Sequence, residues 1–389
     1  MDTQYHISTM SSPPLSVSVL TGGAAAAIAS VALCGRDAER IVGELFRRSL
    51  PACGRLAFGP LQDGDTVVDS VVLGRERTDC FVLHCHGNPL LVEQIVRVCQ
   101  RYGARLQSAD EYLFGQLQAA CRTPIEAEAR LAMTRAATRE GVELIAGQIE
   151  DGLSAWAKGW IKSKSFEINQ LHDECAAILR RSKTAQRLIN GVRIGLLGPP
   201  NSGKSTLLNR LAAENAAIVS DSAGTTRDWV STTCRIGPLR AEVIDTAGLD
   251  TTLAVDNVLD RAAQHAAVEV VKTCDLVLHI RDCTRQQPLV LPMTVSAAGL
   301  TVYTKSDLLP NQKAFSPDTP EPWVLVSALT GQGVEVLGRA ILAVLKIDSL
   351  EPHLPICFTD RQRTHLQTLA TSDCQVVIKK ELTSLLGAV

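Results

Sequence analysis

The hydrophobic pattern changes character twice along this chain. Residues from about 20 to 120 mix two periods. "IASVALCG" is an apolar run ending in glycine, and "DTVVDSVVLG" and "DCFVLHCHG" are β-branched runs bounded by glycine; all three read as strands. "DAERIVGELFRR" places Ile41, Val42, Leu45 and Phe46 at helical spacing, and "PLLVEQIVRVCQRYGA" reads as a helix stopped at Gly103. From about 122 to 188 the period is helical throughout. "TPIEAEARLAMTRAATREGVELIAGQIEDGLSAW" opens with Thr123 as N-cap, Pro124 at the first helical position and Glu126 placed to complete a capping box. "SFEINQLHDECAAILRRSKTAQRLI" is a second amphipathic stretch. From about 190 the runs "VRIGLLG", "AEVIDTAG", "CDLVLHIRD", "GLTVYTKSD" and "WVLVSAL" alternate with helical segments, the pattern of a parallel sheet covered on both faces. "SPDTPEP" is a loop, and after about 347 a shorter helical tail runs to Val389. The expected domains are an α+β unit over 1–120, a helical segment over 121–189, an α/β domain over 190–346 and a second helical segment over 347–389.

Composition narrows the class without naming a function. A content of 46% hydrophobic and 21% charged residues is that of a globular protein, and no apolar run reaches the length of a transmembrane helix. The N-terminal stretch has no basic start, and its alanine-rich part reads as a buried strand and turn rather than a cleaved leader. Twelve scattered cysteines with no CxxC pair favour reduced thiols in a cytoplasmic protein over a disulfide scaffold. His84 and His86 in "HCH" share one face of a strand, but two ligands without a second cluster read as sheet residues. The net charge of −2 excludes a general nucleic-acid binder. Lys158, Lys162, Lys164, Arg180, Arg181, Lys183, Arg187 and Arg193 nevertheless form a basic run, read as a solvated helix face with an RNA-facing surface as the alternative.

The chemistry begins at "GPPNSGKST". Gly198, Gly203, Lys204 and Ser205 match G-x-x-x-x-G-K-[ST] between a predicted strand and a helix. Glycines let the backbone wrap phosphates, and the helix N-terminus adds partial positive charge. Lys204 is expected to reach the β- and γ-phosphates and the Ser205 hydroxyl to bind Mg²⁺. The later motifs select the base. "GTTRD" carries Thr225 and Thr226, the latter the expected Mg²⁺ and γ-phosphate sensor. "DTAG" ends a strand, with Asp245 suited to a Mg²⁺ shell and Gly248 to a γ-phosphate contact. In "TKSD", Asp307 can accept two hydrogen bonds from guanine that adenine cannot make; Thr304 stands where GTPases usually carry Asn, and Lys305 helps hold the base. Ser327 and Ala328 in "SAL" complete the base contact. The expected phosphate and base contacts are therefore Gly198, Asn201, Ser202, Gly203, Lys204, Ser205 and Thr206 with Thr304, Lys305, Asp307, Ser327 and Ala328.

The stretches "GPPNSGKSTLLNRLAAENAAIVSDSAGTTRD" and "IDTAGL" resemble the MnmE (TrmE) tRNA-modification GTPases. "CGRDAERIVGELFRR", "GPLQDGD", "LHCHGNP" and "FTDRQR" extend the likeness over most of the chain. The resemblance implies a Ras-like, mostly parallel P-loop GTPase domain inserted in a helical domain and preceded by an α+β domain that dimerises and binds a folate. It implies K⁺-dependent GTP hydrolysis, with Asn201, Ser220, Ser222 and Thr225 matching the K⁺ site. It also implies a flavoprotein partner, MnmG, with which such GTPases build a C5 substituent on the wobble uridine of certain tRNAs. The chain departs from the family in four places. It reads "KKELTSLLGAV" where the family has a C-x-G-K-x-C type motif, and its last cysteine, Cys374, lies in a different context. Its last helical segment is short. "GGAAAAIASVALCG" puts alanines opposite arginines that would pair with an anionic folate. The segment after "DTAGL" is shorter, leaving Asp256 as the nearest carboxylate to orient the attacking water. Two readings stay open: a GTPase serving wobble-uridine modification, or a divergent switch acting in RNA- or ribosome-related binding and assembly.

Overall fold

The computed structural model describes residues 14–22, 25–163, 167–214, 230–245, 272–285, 298–317, 319, 322–347 and 350–387. The chain divides into two compact units, 1–120 and 121–389.

The first unit is a six-stranded sheet carrying helices. Its strands are β1 (Ser16–Val19), β2 (Ile28–Cys34), β3 (Arg55–Asp63), β4 (Thr66–Arg77), β5 (Cys80–His86) and β6 (Arg105–Leu106), in the order β3-β4-β5-β2-β1-β6. Neighbours are antiparallel except β1 and β6. Alternation sends Val31 and Leu33 of β2 and Phe81 and Leu83 of β5 to one face. There they meet Ile41, Val42 and Leu45 of α1 (Ala38–Leu45) and Ile95 and Val98 of α2 (Pro89–Arg101). The opposite face gathers Ala32, Cys34, Cys80 and Val82 under Tyr112 of α3 (Ala109–Ala120).

One expectation is corrected here. Cys34 and Cys80 form a disulfide, while the other ten cysteines are free. The two lie directly opposite each other on β2 and β5. That register depends on strand pairing across 46 residues and cannot be read from cysteine spacing. The "HCH" residues behave as sheet residues. His84 Nδ1 lies 2.9 Å from Ser30 Oγ and His86 Nδ1 lies 2.7 Å from Asp69 Oδ1, and no cluster able to hold a metal occurs among the described residues.

The second unit begins with α4 (Pro124–Met133), α5 (Arg139–Glu150), α6 (Gly152–Lys162) and α7 (Ile168–Asn190). Thr123 caps α4 by accepting from Glu126 N, and the Glu126 carboxylate accepts in return from Arg122 N, one residue earlier than in the usual box. The chain then runs through β7 (Val192–Leu197), α8 (Lys204–Glu214), β8 (Val230–Ile236), β9 (Leu239–Asp245), β10 (Leu276–Asp282), β11 (Ala298–Thr304), β12 (Trp323–Leu325) and α9 (Val334–Val344). It returns as α10 (Asp360–Leu369) and α11 (Gln375–Leu386), which pack on α4, α6 and α7. The α/β domain is thus an insertion between two parts of one helical domain. Its sheet order is β12-β11-β10-β7-β9-β8, parallel except for β8, which pairs antiparallel with β9.

Two buried polar clusters fasten the returning segment. Gln148, fully buried, gives its amide hydrogens to Leu144, Pro352 and Leu354 carbonyls and accepts from Leu153 N and Ile356 N. The buried Glu128 carboxylate takes a two-pronged bond from Arg361 at 2.6 and 2.8 Å and one from Gln362 at 2.7 Å. "FTDRQR" is therefore a structural fastening. In the basic run Arg181 serves the same end by donating to Pro355 O, while Arg187 donates to Leu345 O at the end of α9 and Arg193 pairs with Glu242 across β7 and β9. Among the described residues no helix is long and apolar enough to cross a membrane.

Candidate functional site

Ligands of open parallel sheets bind beyond the carboxyl ends of the strands, where the strand order reverses. In this sheet β7 lies between β10 and β9, so the chain leaving β7 emerges at such a point. Residues 198–203 form that turn and deliver Lys204 as the first residue of α8. Two glycines make the turn possible. A Cβ on Gly198 would stand 2.2 Å from the Ile280 carbonyl oxygen of β10. Gly203 has φ +93° and packs against Thr304. Asn201 also occupies the left-handed region, at φ 60°.

The polar groups converge on this turn. Lys204 Nζ donates to the carbonyls of Gly198 and Pro199 at 2.8 and 3.0 Å, so the ammonium closes the loop on itself. Ser205 Oγ donates to Asp245 Oδ2 at 2.7 Å, across from α8 to the end of β9. Asp245 is buried, and its second oxygen, Oδ1, has no hydrogen-bond partner among the described residues; the same holds for the buried Ser202 hydroxyl. A half-satisfied buried carboxylate beside a serine hydroxyl has the chemistry of a divalent-cation shell. Thr206 is exposed in the first turn of α8.

The second loop, after β11, is tied to the first. Thr304 is buried; its hydroxyl donates to the Ser202 carbonyl and lies 3.1 Å from the Arg281 carbonyl of β10. Lys305 turns the chain at φ 62°, and its ammonium donates to Asp282 Oδ2 at 2.7 Å. Asp307 Oδ1 accepts from Ser327 Oγ at 2.6 Å, which fixes the carboxylate that the sequence assigns to base reading. Ser327 is itself held by its backbone, Ser327 N to Gln332 O and Gly331 N to Ser327 O, with Ala328 next in that turn.

The structure therefore brings Gly198, Asn201, Ser202, Gly203, Lys204, Ser205, Thr206, Asp245, Thr304, Lys305, Asp307, Ser327 and Ala328 to one edge of one sheet. Ser220, Ser222, Thr225, Thr226, Gly248 and Asp256 lie outside the described residues. Sequence reading missed Asp282, which ends β10 as Asp245 ends β9. Burial pushes its carboxyl up, but hydrogen bonds from Lys305 and Thr284 and the Lys305 charge outweigh this and leave it below its ordinary value. The signal was present as the aspartate closing the run "LVLHIRD".

A family profile described as "50S ribosome-binding GTPase" matches residues 193–304. Among curated relatives, the chain is 28% identical over 381 residues to tRNA modification GTPase MnmE of Thermus thermophilus, covering 89% of this chain and 84% of that protein. It is 29% identical over 355 residues to tRNA modification GTPase MnmE of Azoarcus sp., covering 80% of this chain and 74% of that protein. Among solved structures, a single-residue variant of Aquifex aeolicus Era bound to GDP and an aluminium fluoride is 25% identical with a TM-score of 0.31, covering 45% of this chain and 64% of that one. The chain resembles the MnmE GTPases along most of its length and carries a P-loop GTPase domain.

Proposed function

We propose that this chain hydrolyses GTP to GDP and phosphate in the service of C5 modification of the tRNA wobble uridine. The observation that carries the reading is the tie between the two loops. Thr304 bonds the phosphate loop from the loop that bears Asp307, so one nucleotide bridging both would be held at its two ends. The similarity of the whole chain to MnmE GTPases supports the tRNA part.

In this reading residues Gly198 to Ser205 wrap the phosphates and Lys204 leaves the loop carbonyls to meet the β- and γ-phosphates. Asp307 reads guanine, with Lys305, Thr304, Ser327 and Ala328 shaping its pocket. Ser205 and Asp245, with Thr226, would hold Mg²⁺, and the orphaned Asp245 oxygen fits that assignment. Bound there, the ion would neutralise charge on the transferring phosphoryl group. Asn201, Ser220, Ser222 and Thr225 would hold K⁺. Gly248 would sense the γ-phosphate, and Asp256 would orient the attacking water as the bond from the γ-phosphorus to the bridging oxygen breaks. A homodimer, an MnmG-like flavoprotein, a tRNA and a cytoplasmic setting complete the proposal. Folate fits less well. A cleft of about 380 Å³ in the first unit, lined by Val19, Thr21, Ala29, Val92 and Leu106, has Glu93 as the only charged lining residue among the described residues, and the nearby Arg97 is already paired with it.

The test has two parts. Purified protein is expected to hydrolyse GTP faster in K⁺ than in Na⁺; equal rates overturn the K⁺ assignment. Mass spectrometry of wobble uridines in total tRNA is expected to lose the C5-modified forms when the gene is deleted. Their persistence favours the divergent-switch reading over the tRNA role.

A further inference from the structure

Asp282 lies at the carboxyl end of β10, between the two loops, and its carboxylate is 4% exposed. Oδ1 accepts from Thr284 N at 2.9 Å and from Thr284 Oγ1 at 2.6 Å. Oδ2 accepts from Lys305 Nζ at 2.7 Å, with Arg285 Nε farther off at 3.7 Å. The strand end is bonded to β11 on both sides of this contact: Cys283 N donates to Thr304 O, and the Thr304 hydroxyl reaches Arg281 O. Lys305 sits in the left-handed region, where a lysine backbone is strained. Its long side chain, about one-third exposed, would otherwise sample many rotamers. One buried carboxylate, held by the threonine turn, supplies the fixed point that aims it.

We propose that Asp282 is a positioning residue for the nucleotide base, acting through Lys305 to hold the aliphatic stem of that lysine in the guanine pocket while the phosphate loop is left to Lys204. The proposal rests on the GTP reading above. Asp282 itself touches neither phosphate nor base. Its effect is confined to the half of the ligand that Lys305 reaches.

The experiment measures dissociation constants of the full chain for fluorescently labelled GDP, with ADP and inorganic tripolyphosphate as competitors. In Asp282→Asn the amide oxygen can still accept from Thr284 while the charge opposite Lys305 is gone. Lys305 must then be ordered when the nucleotide binds, which predicts GDP binding weaker by roughly threefold to tenfold, with tripolyphosphate competition unchanged. The double variant Asp282→Asn with Lys305→Met is expected to bind GDP no more weakly than Lys305→Met alone. Unchanged GDP binding in Asp282→Asn overturns the proposal. So does a parallel loss for tripolyphosphate, which would signal general damage to the domain, and so does an additive double variant. Wild-type protein that fails to prefer GDP over ADP would overturn the GTP reading itself, a result separate from these.

Discussion

Two clusters of buried polar atoms in the second unit can be set side by side. In the helical fastening, the Glu128 carboxylate, the Gln148 amide and the Ser182 hydroxyl all find partners. Ser182 Oγ donates to Ile178 O and accepts from Cys357 N. At the carboxyl edge of the inserted sheet, Ser202 Oγ, Asp245 Oδ1 and Ser306 Oγ are buried with no hydrogen-bond partner among the described residues. Other such atoms among the described residues include Ser154 Oγ in the helical domain and Arg75 Nε in the first unit. An unpaired buried polar atom costs on the order of 1–3 kcal/mol, a cost that a bound ligand or ion along this edge would relieve. Saturated polar clusters mark where the chain fastens itself. The unsaturated ones lie along the strand ends where the proposed nucleotide would bind.

The largest effect is expected at the phosphate loop. Lys204→Ala is expected to weaken nucleotide binding by more than about a hundredfold, since a charged partner to phosphate is removed. Equilibrium binding of labelled GDP measures this, and micromolar or tighter binding by the variant would refute the loop assignment. Next in size is Arg361→Ala, which takes the counter-charge from the buried Glu128 carboxylate and leaves it the Gln362 and Thr359 bonds. It should cost about 3 kcal/mol in urea unfolding while the folded protein binds nucleotide as before. A large loss of nucleotide affinity at unchanged stability would invert the roles of the two clusters.

Asp307→Asn should move preference from guanine towards xanthine nucleotides, because the amide can donate where the carboxylate only accepted. Competition between GTP and xanthosine triphosphate reads this directly, and intact GTP selectivity would remove Asp307 from base reading. The smallest contrast compares two serines. Ser182→Ala breaks two hydrogen bonds to backbone and should destabilise by about 1–2 kcal/mol. Ser202→Ala removes a buried hydroxyl without a partner and should raise the stability of nucleotide-free protein by about 1 kcal/mol. Equal losses in thermal unfolding would mean that the Ser202 hydroxyl is satisfied after all.

Much of this was legible in the chain. The runs "IASVALCG", "DCFVLHCHG", "VRIGLLG" and "LVLHIRD" became β2, β5, β7 and β10 because period and β-branching are local properties. The phosphate loop was legible because its chemistry is contiguous, a glycine turn, a lysine and a serine in one short stretch. Less legible was anything made by pairing. β8, "VSTTCRI", is too polar to announce itself and is a strand because β9 lies beside it. The stretch from Thr123 to Trp156 carries one unbroken helical period, yet it is cut into α4, α5 and α6 as the helices fold back on one another. The Cys34–Cys80 bond followed from register alone.

Sequence by itself determined which side chains could meet phosphate and guanine, since donor type and backbone freedom belong to each residue. Tertiary structure decided which of them stand together. It placed Asp282 under Lys305, set Thr304 as the tie between two loops 102 residues apart, and turned "FTDRQR" into a fastening for Glu128. The physical reason is the same in each case. A buried polar atom takes whatever partner the packing of distant segments brings within hydrogen-bond reach, and that distance is written in no single stretch of the chain.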